Sequence, residues 1–253
     1  MNSRLTGILK NWILPAVFWL ILWQILCMIV SQNLLLPSPI EVFKKFEIAA
    51  KPDFWAALGM SLVRAAAAYV LGVVLAFLLA VLCRFSSVAL RLVRPAMAFI
   101  RATPVASFIM LALVWLSAAR APVLAGMLMV LPVVFSNTLD AMAGTPAKYL
   151  ELAECYRFGR WKRFRHVLLP SSIPEFLTAC HACVGLCLKA TVAAEVIGLP
   201  ENAVGTALYY SKTYLETDTL LAWTLALVLL SLISERLLKA LLERGLRGVH
   251  HAE

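Results

Sequence analysis

AAAAYVLGVVLAFLLAVLC, residues 65–83, carries no charged side chain across its whole length. A helix needs about 20 apolar residues to cross the hydrocarbon core of a bilayer. Strands cross only as closed barrels, with apolar and polar residues alternating. This run is unbroken and rich in Leu, Ala and Val, so it reads as a membrane helix. The amphipathic stretch Leu58–Arg64 leads into it, and the span is taken as about 60–83. Five further apolar runs flank it, at about 12–31, 102–119, 121–139, 176–199 and 217–236. Pro104 sits near the start of the third span, and Pro132 is expected to kink the fourth. The first run is too long for a signal-peptide core and no small-residue cleavage site follows it, so it reads as an uncleaved span. The expected architecture is an all-α integral membrane protein of about six transmembrane helices, a single domain over 1–253.

Composition agrees with that reading. Hydrophobic residues make up 62% of the 253 positions and charged residues 15%, against about 25% charged in soluble domains. Mean hydropathy is +0.86. The net charge of +9 does not point to nucleic acid, because the charges fall at the ends of the apolar runs. With the N-terminus inside and the spans alternating, fifteen Lys and Arg residues face the cytoplasm and five face outward. Such a bias sets orientation, and it puts both termini in the cytoplasm. Outside, Ile40–Ala50, following Pro37, Ser38 and Pro39, reads as a short interfacial helix and residues 200–217 as an ordered cap or re-entrant loop. The six cysteines do not form a disulfide framework.

No phosphate-binding loop and no metalloprotease or nucleophile-elbow motif is present. If transport needs ATP, a partner must supply it. Cys180, Cys183 and Cys187 share one helical face, while His181 points about 100° away from Cys180; these small residues suit a close helix contact better than a metal site. No catalytic residue is assigned. Lys189 and Glu195 lie inside a span, where a charge costs roughly 3 kcal/mol and usually faces a bundle interior or a watery path. Both are candidates for a translocation path. A structural ion pair is the alternative for Lys189, and a place near the external water boundary the alternative for Glu195. Arg101, beside Thr103 and Pro104, reads as an arginine snorkelling to the interface.

The segment ELAECYRFGRWKRFRHVLLPSSIP begins at Glu151, within a long inter-span loop over 140–174. Six basic residues lie between 148 and 166. Leu150, Ala153 and Tyr156, then Trp161, Phe164, Val167 and Leu168, recur at three- and four-residue spacing, which predicts two short helices with an apolar seam. Gly159 allows a break between them. Pro170 and Pro174 mark the expected turn into the fifth span. From composition alone, this loop could simply lie on anionic lipid.

The spacing resembles the signature E-A-A-x3-G-x9-I-x-L-P of the inner-membrane permeases of binding-protein-dependent ABC importers. Glu151, Leu152 and Ala153 stand at its start, Val167 at the Ile position, and Leu169 and Pro170 at L-P, with no gap. The Gly position holds Arg157, and Gly159, two residues later, offers another place for the bend. Ser61-Leu62-x-Arg64, Arg101-x-x-Pro104, residues 193–198 (AAEVIG) and Ser231-x-x-Ser234-Glu235 are similar to the nitrate, sulfonate and taurine branch of these permeases.

The resemblance implies a type I importer permease. Glu151, Leu152, Ala153, Arg157, Gly159, Val167, Leu169 and Pro170 would form the element that couples to the ATPase. It further implies two ATPase subunits that bind ATP and Mg, a second copy of the permease, an extracytoplasmic solute-binding protein, and a place in the bacterial inner membrane. No cofactor is expected in this chain and no nucleic acid as partner. A small organic or inorganic anion or a vitamin precursor is the expected solute. A stand-alone secondary transporter, for which repeated halves would be expected, and a membrane-embedded enzyme are the competing readings.

Overall fold

The computed structural model describes the backbone of residues 2–30, 32 and 34–250, and side chains within 13–240 apart from those at 31 and 33. Among the described residues every regular element is a helix: α1 (Asn2–Val30), α2 (Pro39–Lys45), α3 (Pro52–Phe85), α4 (Ser87–Ala102), α5 (Val105–Trp115), α6 (Ala121–Ala143), α7 (Ala147–Cys155), α8 (Arg160–Arg163), α9 (Leu169–Gly198), α10 (Val204–Thr213) and α11 (Thr217–His250). Five stretches, in α1, α3, α6, α8–α9 and α11, are long and apolar enough to cross a membrane. The bent pair α4–α5 makes a sixth if counted as one span.

The centre of the molecule is the packing of α3, α6 and α9. Lipid tails are as apolar as Leu, so helices in a membrane associate through close backbone approach and tight packing. Small residues supply that here. Ala68, Ala76 and Ala80 of α3 are fully buried. A Cβ on Gly126 of α6 would lie 2.8 Å from the Cβ of Ala68 and 3.1 Å from Sγ of Cys187, so three helices meet at one hydrogen atom. Cys180, Cys183 and Cys187 are buried on the inward face of α9, and Cys187 donates to the carbonyl of Ala65 at 3.5 Å.

Three differences from the sequence reading matter. The third span, expected over 102–119, is broken. Thr103 is extended (φ −81°, ψ 131°) and Pro104 caps α5, because the residue before a proline is held out of the helical region. At eleven residues α5 is too short to cross alone. The bend to α4 is 105°. Second, α4 fills the stretch between the expected spans 60–83 and 102–119, where no helix was predicted. Leu90, Val93, Met97 and Ile100 recur at helical spacing and pack on the core, while Arg91 and Arg94 stay exposed.

Third, no turn occurs at Pro170 or Pro174. The helix that begins at Arg160 widens by one π turn over Phe164–Leu168 and continues as α9 to Gly198. Pro170 lies directly after the widened turn, at the start of α9. The helix that carries the expected fifth span therefore begins at Arg160.

The short helix expected over Ile40–Ala50 appears as α2 followed by a 3-10 turn over Phe46–Ala50. Ser38 caps α2, accepting from the N–H of Glu41 at 3.3 Å while the N–H of Ser38 donates to the Glu41 carboxylate at 2.8 Å. Residues 200–217 contain α10, which covers one end of the bundle. α7 and α8 lie at the opposite end.

Candidate functional site

The α7–α8 elbow is built by one departure from helical geometry. Arg157 occupies the left-handed region at φ 51°. Its N–H donates to the carbonyl of Glu154 at 2.9 Å, and that of Phe158 to the carbonyl of Ala153 at 2.8 Å. These two bonds make a Schellman cap, whose left-handed position usually holds glycine. The bend thus falls at Arg157, the Gly position of the signature. Gly159 is ordinary extended backbone (φ −62°, ψ 162°) and caps α8. A side chain in this region costs roughly 1–2 kcal/mol, partly offset by the greater freedom glycine loses on folding. Arg157→Gly is therefore expected to stabilise the chain by roughly 0.5–1 kcal/mol. Its thermal midpoint in detergent should rise slightly, and a fall would show that the Arg157 side chain matters more than its backbone.

Ala153 is buried against the body while Glu151 is exposed. Leu152, Tyr149 and Tyr156 present apolar surface outward, with Leu152 55% exposed. They line one wall of a groove of about 620 Å³, with Phe158, His166, Val167 and Pro170 opposite. The expected seam forms only in part. Phe164 and Leu168 are buried, but Trp161 and Tyr156 face solvent. Phe164 also packs on Phe85 of α3, ring centroids 5.2 Å apart. A hydroxyl contact of 2.8 Å between Thr145 and Ser171 ties the start of the loop to α9. Val167 and Leu169 are half-buried beneath the groove. The result is a rigidly seated elbow with an exposed apolar and charged face.

At the other end lies a closed polar cluster. Glu195 has no exposed surface. Its Oε1 accepts from Nη1 of Arg64 at 3.0 Å, and its Oε2 from the hydroxyl of Ser61 at 2.7 Å and the N–H of Gly205 at 3.2 Å. Arg64 also donates to the carbonyls of Glu201 at 2.9 Å and Asn202 at 3.2 Å. The N–H of Val204 donates to Ser61 at 3.0 Å. Every member has partners, as a buried ion pair requires. The cluster clasps α3, α9 and the start of α10 together. Gly205 belongs to it through its size, since a Cβ there would stand 2.6 Å from the carbonyl of Val192. The sequence suggested neither this pairing nor the burial of Glu195. Its one available signal was that Ser61 and Arg64, three residues apart, share a helical face.

Lys189 is separate from the clasp. It lies on an exposed stripe of α9 with Ala182 and Ala193. Arg101 is turned onto α6. Its Nη2 donates to the carbonyl of Pro132 at 3.0 Å and to the hydroxyl of Ser136 at 2.8 Å, and Pro132 is the midpoint of α6.

Residues 68–247 match the profile of the family described as binding-protein-dependent transport system inner membrane component. The chain belongs to this family. The family is one of ABC importer permease subunits, and it implies an ATPase partner and a binding protein. It is 25% identical over 243 residues to the aliphatic sulfonates transport permease protein SsuC of Bacillus subtilis, covering 95% of this chain and 87% of that one. The formylaminopyrimidine transport permease protein ThiX of Halalkalibacterium halodurans is 27% identical over 74% of this chain and 77% of its own. The taurine transport system permease protein TauC of Escherichia coli is 23% identical over 90% and 86%. The fold matches the crystal structure of an amino acid ABC transporter with histidines (TM-score 0.67, 20% identity, 78% of this chain and 96% of that one). It also matches an inward-facing methionine transporter MetNI (TM-score 0.53, 16% identity, 74% and 93%).

Proposed function

We propose that this importer permease works as a pair of identical copies with two ATPase subunits, and that it carries a small organic anion of the sulfonate or taurine kind. The observation that carries the coupling part is the seated α7–α8 elbow. Ala153 anchors it, and Glu151, Leu152 and Tyr156 face away from the body. A short rigid helix joined to two spans converts movement of a docked subunit into rotation of those spans. In this reading the elbow lies in the cytoplasm, α10 faces outward, and both termini are cytoplasmic. ATP and Mg reside on the partner. Glu151, Leu152, Ala153, Arg157, Gly159, Val167, Leu169 and Pro170 form or support the docking element. Lys189 lines the path, whereas Glu195 serves the clasp. Two of the similar permeases are named for sulfonates and taurine and one for formylaminopyrimidine. An unpaired cation in a span favours the anionic solutes.

Reconstitution with the cognate ATPase and binding protein tests this reading. Proteoliposomes should accumulate labelled taurine or an aliphatic sulfonate only when ATP reaches the ATPase. Uptake without nucleotide would instead establish a stand-alone carrier. Lys189→Met should lower uptake several-fold at wild-type protein levels. Unchanged uptake in that variant would end the path role of Lys189.

A further inference from the structure

Two cavities meet at Arg101. One, of about 260 Å³, opens at the break between α4 and α5; Arg101, Thr103, Pro104, Met129, Val133 and Leu186 line it. The other, of about 220 Å³, lies toward the α7 end and includes Arg94, Ser136 and Asp140 besides Arg101. The guanidinium is held in place between them by Ser136 and the carbonyl of Pro132 through a single nitrogen, Nη2. Among the described residues no carboxylate lies within 4.0 Å of Arg101 or Lys189. Leu186 lines the first cavity, and Lys189 stands one turn further along α9, about 4.5 Å toward the α10 end.

A charge at mid-span facing lipid is costly, and such groups turn to a bundle interior or a water-filled cavity. Two uncompensated cations on adjoining surface, with cavities beside them, mark that face as one turned away from lipid. We infer that Arg101 is the anion-contacting residue of the translocation path, standing at the junction of the two cavities, with Lys189 the cation met before it from the α10 end. Anionic groups such as sulfonate or carboxylate would meet the free edge of a guanidinium that Ser136 has already oriented. This inference rests on the reading of the chain as a permease, and names a contact within its path.

Thiol labelling tests it without knowledge of the solute. Cys155 is the exposed cysteine among the described residues, so Cys155→Ser gives the background, and Thr103→Cys places a thiol in the first cavity. In membrane vesicles the anionic sulfonatoethyl methanethiosulfonate should react at least about tenfold faster, relative to its cationic trimethylammonium counterpart, than the two do with a small free thiol. Arg101→Gln should abolish this preference and Arg101→Lys should keep it. A cationic preference or none with Arg101 intact would overturn the proposal, whether or not the Gln variant folds. So would a preference that survives Arg101→Gln. ATP-driven uptake on the same vesicles is read separately. Its absence for labelled taurine and sulfonate would sink the proposed solute, whereas a flat labelling ratio with uptake intact would sink only the role of Arg101.

Discussion

Arg64→Ala is expected to destabilise the folded chain by about 3–5 kcal/mol, the cost of leaving a buried carboxylate without its counter-charge. Glu195 would lose Nη1 of Arg64, and the carbonyls of Glu201 and Asn202 would lose their donors together. The α10 cap should loosen first, since these bonds fix the segment that enters it. Glu195→Ala should be as severe, because it strands Arg64, 7% exposed, in the same place. Replacing both residues, Arg64→Met with Glu195→Leu, should cost much less than the two single changes added. An apolar pair of similar volume often matches a buried ion pair, though the N–H of Gly205 and the hydroxyl of Ser61 would still lack their acceptor at about 1–3 kcal/mol each. Thermal midpoints of detergent-purified protein decide this. A single variant that melts with the wild type would show that the contacts contribute nothing net.

Glu151→Lys carries the second large effect, on coupling rather than folding. Glu151 is exposed and forms no ion pair within 4.0 Å among the described residues, so nothing in the chain itself should suffer. Reversing a charge at a docking surface puts like charges together, which costs several kcal/mol, and every 1.4 kcal/mol is tenfold in affinity. We expect normal membrane levels, ATP-driven uptake reduced at least about tenfold, and less ATPase co-purified in mild detergent. Full coupling in this variant would return the loop to its plainer reading as a basic segment resting on anionic lipid.

The spans were legible because a bilayer admits only apolar helices and closed barrels, and unbroken runs such as 65–83 or 121–139 lack the alternation of a barrel strand. α4 was not, because its apolar face, Leu90 to Ile100, is interrupted by Arg91 and Arg94, and a basic stretch beside a span looks like a loop to any hydropathy argument. The elbow was half legible. Spacing alone marked Glu151 to Pro170, but a left-handed Arg157 follows from capping bonds, not from its residue type, and so the position of the bend needed the structure. The clasp was the least visible. Arg64 and Glu195 are 131 residues apart, and one acid among three intramembrane cations does not say which cation it chooses. The partners of Arg101 were hidden for the same reason, since Pro132 and Ser136 lie on another helix.

The π turn at Phe164–Leu168 has a mechanical meaning. By letting α8 run into α9 without a joint, it makes one rod of 39 residues from Arg160 to Gly198, about 58 Å long. Trp161 stands at one end of that rod and Glu195 at the other. A twist applied beside the elbow reaches the Arg64 clasp as rotation of a single shaft, with no relay of side chains between.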